Sequence, residues 1–493
     1  MAIGARRMPG FSVVTFGCQM NQHDSERIGE VLRAAGWVEE PDLERTDLVL
    51  LNTCSVREKA EQKLRSEIGR LAIVKRRRPG LLIGVAGCVA QQEGERLVAR
   101  MPAIDLVVGP DNLAEIPELA EAAAGGAPAP VRTVFDLDEP RFLAARPDPG
   151  KQAPTAFVTV MKGCNERCSF CIVPHTRGPE RYRASRDITD EILRLVEAGA
   201  REVTLLGQTV NSYRDPSQAL PPAKGAGIRP WTHTHPTTAR EDESEFPALL
   251  RAIAERVPGL ARLRYTSPHP RHLTHSLIVA HRELAILARH VHLPVQSGSD
   301  RMLKRMIRRY SIGEYRERVQ ALRSEVPGIT LSTDVIVGFP GETREDFEAT
   351  VALVEELGFT GLFGFKYSPR PYTPALALDG EPSEGEKSAR LAELFETCER
   401  VRRAHLESLV GSPALVLAEG RGKNGAFGGR SERNEIVHFS SDLELTGELV
   451  PVVVRRAFKN SLGAEIETGW LASSRTRTPA RPVETRRTLP LAP

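Results

Sequence analysis

The sequence predicts an α/β protein in three parts: an N-terminal open parallel sheet, a central α/β barrel and a small C-terminal all-β barrel. Three observations carry this. Strand-like runs ending in Cys18, Cys54 and Cys88 alternate with helical patterns over the first 125 residues. Six further strand-like runs, again separated by helical patterns, fall between 155 and 368. Beyond 409 the helical period gives way to short alternating runs. Alternating strands and helices dictate a parallel sheet, whereas clustered short strands dictate a sandwich or barrel.

In the first part, FSVVTF (11–16) leads to Gly17 and Cys18. Asp24 and Ser25 offer a helix N-cap, followed by Ile28, Val31, Leu32 and Ala35 on one face. DLVLLNTC (47–54) is a second strand, and Ala60, Leu64, Ile68 and Leu71 mark an amphipathic helix after it. That helix closes on the basic run Lys75–Arg78, a candidate phosphate contact that is more often simply solvated. LLIGVAGC (81–88) is the third strand. Parallel strands present their carboxyl ends at one edge, where open α/β sheets bind ligands. Cys18, Cys54 and Cys88 are therefore expected at one rim. Each alone would be read as a small buried hydrophobe; three at one topological position favour a shared site.

The Gly/Ala/Pro-rich stretch 120–132 and the Pro/Asp-rich stretch that follows mark a linker over 126–154. The barrel strands are TAFVTVMKG (155–163), EVTLLGQ (202–208), RLRYTS (262–267), HVHLPVQSG (290–298), ITLSTDVIVGF (329–339) and GLFGFKYS (361–368). They suggest a partial or complete barrel over 155–390. Residues 214–242 lack periodicity and read as an exposed insertion loop, in which His233 and His235 are expected to bind nothing. A helix over 384–409, containing Cys398, leads to the strands SPALVLAEG, NEIVHFSS, ELVPVVVRRAF and AEIET, a barrel within 405–471. The tail 472–493 carries five arginines against Glu484 and is expected to be disordered. Small barrels of this sort often hold nucleic acid, yet this one is not basic, with seven Lys/Arg and eight Asp/Glu across 410–471, so any electrostatic contribution to such a partner is expected from the tail.

The 493 residues are 41% hydrophobic with a net charge of +3 and no apolar run of membrane-spanning length. The opening MAIGARRMPG lacks a signal-peptide core. The expectation is a cytoplasmic protein whose thiols stay reduced, so that clustered cysteines serve metals or catalysis rather than disulfides.

Cys164, Cys168 and Cys171 form a C-x3-C-x2-C run directly after a barrel strand. Two readings compete. Zinc would take His175 as its fourth ligand. A cubane iron–sulfur cluster would need only the three thiolates, leaving one iron open for a substrate. Position above the carboxyl rim of a barrel, where active sites lie, favours iron.

This loop resembles that of the radical S-adenosylmethionine (SAM) enzymes. TFGCQMNQHDSE (15–26), LNTCSVREKAEQK (51–63), GCVAQ (87–91), LLGQTVNSY (205–213), HLPVQSGSDRMLKRM (292–306), STDVIVGFPGETREDF (332–347) and YSPRPYTPA (367–375) are similar to their methylthiotransferases. GRSERNEIV (429–437) resembles the core of a TRAM domain, an RNA-binding barrel. The resemblance spans roughly residues 10–470 and implies two 4Fe–4S clusters. One, on Cys164, Cys168 and Cys171, would bind and cleave SAM; the other, on Cys18, Cys54 and Cys88, would deliver sulfur. It also places Phe170 against the adenine of SAM. Gly207, Gln208, Gln296, Ser297, Gly298 and Ser299, at two strand ends, are the candidate SAM contacts. The implied reaction is methylthiolation of carbon 2 of N(6)-dimethylallyladenosine beside the tRNA anticodon. A second SAM would give the methyl group, and flavodoxin or ferredoxin the electrons, to a monomeric enzyme. Sister enzymes act on threonylcarbamoyladenosine or on a ribosomal-protein aspartate. An unactivated C–H suits a radical better than acid–base chemistry, and the base must be unstacked to be reached.

Overall fold

A computed structural model describes residues 8–56, 58–138, 140–147, 153–217 and 244–470. Most of the 214–242 insertion, with His233 and His235, and the tail 472–493 lie outside these residues.

The N-terminal part comprises β1 (Gly10–Phe16), α1 (Gln19–Ala34), β2 (Val38–Glu39), β3 (Leu48–Thr53), α2 (Glu58–Arg77) and β4 (Leu82–Gly87). It continues with α3 (Cys88–Glu93), α4 (Glu95–Arg100), β5 (Leu106–Val108), α5 (Ile116–Ala124) and β6 (Val131–Arg132). The strands form one parallel sheet in the order β2-β1-β3-β4-β5-β6. β3 and β4 are buried along their whole length, which is why they read as unbroken apolar runs. Ile28 and Leu32 of α1, with Ile116 and Ala120 of α5, cover one face. Leu64, Ile68 and Leu71 of α2 cover the other.

Two details differ from the sequence reading. α1 begins at Gln19, not after Asp24–Ser25, because Cys18 and Asn21 satisfy the helix start between them. Asp24 and Ser25 are thereby freed for other bonds, and Ala35 falls beyond the helix, exposed. β5 and β6 are too short to register as strands in the sequence; β6 lies within the stretch read as linker.

The central part contains β7 (Thr155–Thr159), β8 (Met161–Lys162), α6 (Val173–Arg177), β9 (Arg181–Tyr182), α7 (Ser185–Glu197), β10 (Glu202–Leu206) and α8 (Phe246–Arg256). β11 (Arg262–Tyr265), α9 (His275–Glu283), β12 (His290–His292), α10 (Asp300–Arg305) and α11 (Ile312–Glu325) follow. β13 (Thr330–Val337), α12 (Arg344–Leu357) and β14 (Gly361–Lys366) complete it. Two parallel three-stranded sheets, β11-β10-β7 and β12-β13-β14, meet through a Leu263–Leu287 bridge. The result is a partial barrel, one of the two forms expected. β12 ends well before the run HVHLPVQSG does, because Pro294 has no N–H for the ladder; the chain rejoins the sheet at Gln296, opposite Val335.

α13 (Glu384–Ser408) leads into β15 (Pro413–Arg421), β16 (Phe427–Ser431), β17 (Ile436–Phe439), β18 (Leu449–Ala457) and β19 (Leu462–Ile466). These close a barrel in the order β15-β16-β17-β19-β18. β16, FGGRS, was not legible because glycine is a poor strand former. The fold needs it there: a Cβ on Gly429 would stand 1.9 Å from the Leu417 carbonyl oxygen.

The small barrel docks on the strand-start end of the larger one, away from the cysteines. Arg262 donates to Glu202 at 3.2 Å and to the carbonyls of Arg430 at 2.9 Å and Leu415 at 3.0 Å. Arg264 donates to Glu202 at 2.9 Å and to the Ser431 carbonyl at 2.8 Å. Glu202 thus balances the buried guanidinium of Arg262 and the partly buried one of Arg264. Glu202→Gln is expected to cost about 3 kcal/mol, as loss of one partner of a buried ionic set does. Urea denaturation checks this; an unshifted midpoint would mean the network contributes nothing net.

Candidate functional site

The strand ends gather the first cysteine set as the topology requires. β1, β3 and β4 are neighbours, so Cys18, Cys54 and Cys88 share one rim. A hydrogen bond from the Cys54 thiol holds Cys18 down at about 6 against the effect of burial. The same bond and burial push Cys54 well up, and burial raises Cys88. Asn21 and Asn52 brace the rim, with Asn21 Nδ2 on Asn52 Oδ1 at 3.2 Å and Asn52 Nδ2 on the Asn21 carbonyl at 2.8 Å. Gly87, at φ +90°, has no room for a side chain: its Cβ would lie 2.3 Å from Asn52 Oδ1.

The second set sits in the loop after β8. Gly163, at φ +77°, turns the chain where a Cβ would meet the Pro179 carbonyl oxygen at 2.0 Å. Ser169 ties the loop to the end of α10, its N–H on the Met306 carbonyl at 3.0 Å and its hydroxyl on the Arg305 carbonyl at 2.8 Å. Cys164 Sγ lies 2.8 Å from Thr209 Oγ1. Burial raises Cys164 well above a normal thiol and pushes Cys171 up to about 12. Glu166 pins the loop to the barrel through Arg309 at 3.1 Å and Arg271 at 3.4 Å. A polar cavity of about 230 Å³ opens there, bordered by Asn165, Glu166, Glu180, Ser212, Arg271 and Arg309.

Two arginines that sequence reasoning missed address these sulfurs. Arg308 donates to Cys168 Sγ at 3.3 Å. Arg177, six residues after Cys171, crosses between domains to donate to Cys88 Sγ at 3.3 Å and Asp24 Oδ2 at 2.6 Å. Burial would raise the Asp24 carboxyl, but the Arg177 charge and hydrogen bonds from His23 and Arg177 hold it at about 2. Guanidiniums aimed at buried sulfur favour thiolate, the form that ligates metal. The donor sets therefore fit clusters. Among the described residues, no three His, Cys, Asp or Glu side chains converge as a single ion would need; a cubane spreads its thiolates wider than zinc does. His175 Nε2 is buried without a partner, its ring 5.6 Å from that of Tyr372.

The SAM candidates divide. Gln208 Oε1 is buried with no partner, as an atom reserved for a ligand would be. Gly207 packs closely on Met161, 2.6 Å from an added Cβ to the Met161 Cγ. Gln296 holds a left-handed φ of 73°, a strain of about 1 kcal/mol or more of the kind found at ligand sites. Ser297 Oγ lies 3.4 Å from Thr350 Oγ1, and the Gly298 N–H donates to the same oxygen at 2.8 Å. Ser299 caps α10 and donates to Asp346 at 2.6 Å. The last three thus have evident structural work. Phe170 meets Phe339 edge-on at 6.4 Å beside Met302 and Met306. Of the basic run, Lys75 pairs with Asp105 and Arg78 bonds the Leu43 and Thr46 carbonyls, leaving Arg76 and Arg77 exposed. Cys398 is buried within α13, apart from both sets.

Residues 10–109 match the family model described as uncharacterized protein family UPF0004, and 158–354 match the radical SAM superfamily. A protein of Sorangium cellulosum named tRNA-2-methylthio-N(6)-dimethylallyladenosine synthase is 59% identical over 98% of this chain and 99% of its own. The chain belongs to this synthase family. A synthase of the same name from Geobacter sulfurreducens is 45% identical, covering 92% of this chain and 97% of its own. The fold of the synthase chain is also similar to the radical SAM methyltransferase TsrM of Kitasatospora setae. The TM-score is 0.50 at 16% identity, over 75% of this chain and 74% of that one, a likeness of fold alone.

Proposed function

We propose that this enzyme methylthiolates carbon 2 of N(6)-dimethylallyladenosine at position 37 of tRNA, next to the anticodon. The observation that carries the reading is the pair of separate three-cysteine sets, one on each side of a domain junction that Arg177 bridges. One set alone would serve SAM cleavage; a second, facing it across the junction, fits delivery of the sulfur atom. When bound, the cluster on Cys164, Cys168 and Cys171 supplies the electron that cleaves SAM, and that on Cys18, Cys54 and Cys88 supplies sulfur.

The chain's own residues hold, orient and shield. Arg177 fixes the second set against the first. His23 on Thr159 at 3.3 Å and Arg370 on Glu61 at 3.1 Å close the N-terminal domain over the barrel, limiting water where a radical would form. Gln208 and Gln296 are the strongest SAM contacts, with Phe170, Gly207, Ser297, Gly298 and Ser299 shaping the pocket around them. The domains are taken as 10–125, 155–390 and 405–471, the last a TRAM barrel. Among the described residues no helix is long and apolar enough to cross a membrane. The enzyme works as a cytoplasmic monomer reduced by flavodoxin or ferredoxin, on an anticodon-loop base turned out of its stack.

Cells lacking the gene are expected to lose the 2-methylthio nucleoside and to accumulate N(6)-dimethylallyladenosine, read by mass spectrometry of tRNA digests. Loss of the methylthio form of threonylcarbamoyladenosine instead would assign the chain to the sister activity.

A further inference from the structure

Arg177 and Arg308 make the same contact, guanidinium to cysteine sulfur at 3.3 Å, in opposite electrostatic settings. Arg177 is neutralised by Asp24 at 2.6 Å. Among the described residues, no carboxylate lies within 4.0 Å of the Arg308 guanidinium. Its remaining N–H groups reach neutral oxygens, the Pro294 carbonyl at 3.0 Å and Tyr310 Oη at 3.2 Å, and its carbon stands 5.3 Å from the Tyr310 ring. Arg308 is 5% exposed, so solvent does not screen it. A buried cation without a counter-ion is unfavourable unless an anion nearby compensates it. Here the nearest sulfur is a cysteine of the SAM-cleaving set.

The backbone enforces the arrangement. Ile307 and Arg309 both hold left-handed φ angles, 56° and 55°, which is a true outlier for a β-branched residue. Flanked this way, Arg308 turns inward to Cys168 while Arg309 turns to Glu166. Such strain persists where the surroundings over-determine a functional geometry.

We propose that Arg308 is a positioning residue whose uncompensated charge, set against Cys168, favours the one-electron-reduced form of the group held by Cys164, Cys168 and Cys171. The proposal rests on the cluster assignment above. Reduction takes one electron from a low-potential donor and adds one negative charge to the site, which the guanidinium stabilises. No such bias acts at Cys88, where Asp24 cancels Arg177. The two sets would then accept electrons unequally, the SAM-cleaving one being favoured.

The test is a dithionite potentiometric titration of the anaerobically reconstituted full chain, followed by electron paramagnetic resonance. The signal that changes on adding SAM identifies the Cys164–Cys171 set. Arg308→Gln is expected to lower its reduced fraction about tenfold at fixed potential, equal to about 59 mV for a one-electron couple. Arg316→Gln, which removes an exposed charge paired with Glu356 on α11, should leave it unmoved. Asp24→Asn, which frees the charge of Arg177, should move the other midpoint in the positive direction. An unchanged midpoint in an iron-loaded Arg308→Gln protein overturns the proposal. If that variant does not hold iron, Arg308→Lys takes its place: the charge is kept, so the midpoint should stay near wild type, and a full drop overturns the proposal. Wild-type formation of 5′-deoxyadenosine is scored separately, so failure of the cluster reading itself is distinguishable.

Discussion

Cys168→Ser is expected to abolish 5′-deoxyadenosine formation and to remove about half the bound iron, because serine is a poor ligand for cluster iron, which selects thiolates. Cys54→Ser should also lose about half the iron, on the same ligand argument, yet should still cleave SAM reductively and make no methylthio product. The contrast follows from the geometry, since the two cysteines belong to different domains and different rims. The comparison requires anaerobic reconstitution and is read by iron analysis, 5′-deoxyadenosine release and nucleoside products. Full iron and full product in Cys54→Ser would return the strand-end cysteines to ordinary buried side chains.

Arg177→Met is expected to destabilise the junction between the two sets by about 3–5 kcal/mol, the usual effect of leaving one buried charge without its partner. The Arg177 and Asp24 side chains are 3% and 8% exposed, so water cannot take the place of the lost guanidinium. Hydrogen exchange should accelerate in α6 and α3, and the urea midpoint should fall. The double change Arg177→Met with Asp24→Leu should recover part of the loss, because it leaves no charge behind. Equal loss in single and double variants would show that the ion pair is not what holds the domains together.

The gathering of Cys18, Cys54 and Cys88 at one rim was legible in the sequence. Strand ends of a parallel sheet share an edge, so three cysteines at three such ends had to meet, and β1, β3 and β4 are indeed neighbours. The barrel and the terminal β-domain were legible from periodicity for the same kind of reason. Glycine-rich β16 and the short β5 and β6 were not, because their pairing comes from tertiary closure rather than from propensity. The start of α1 was misplaced since Asp24 resembles a cap, while its actual partner, Arg177, lies 153 residues away. Arg177 and Arg308 carry no spacing signal of their own; they become meaningful only once the fold brings them to cysteines 89 and 140 residues distant. The candidate SAM contacts show the converse. Ser297 to Ser299 looked like ligand residues at a strand end, and much of their bonding proves to be turn and cap chemistry, whereas the unpartnered Gln208 oxygen could be seen only in the structure.

The most direct measurement incubates the reconstituted enzyme, SAM and a low-potential reductant with two tRNAs, one carrying N(6)-dimethylallyladenosine and one lacking the dimethylallyl group. Mass spectrometry of the digested nucleosides should show the 2-methylthio product, with 5′-deoxyadenosine, from the first tRNA and no product from the second. Methylthiolation of the tRNA lacking the dimethylallyl group, or of neither tRNA with both cysteine sets loaded, would contradict the account.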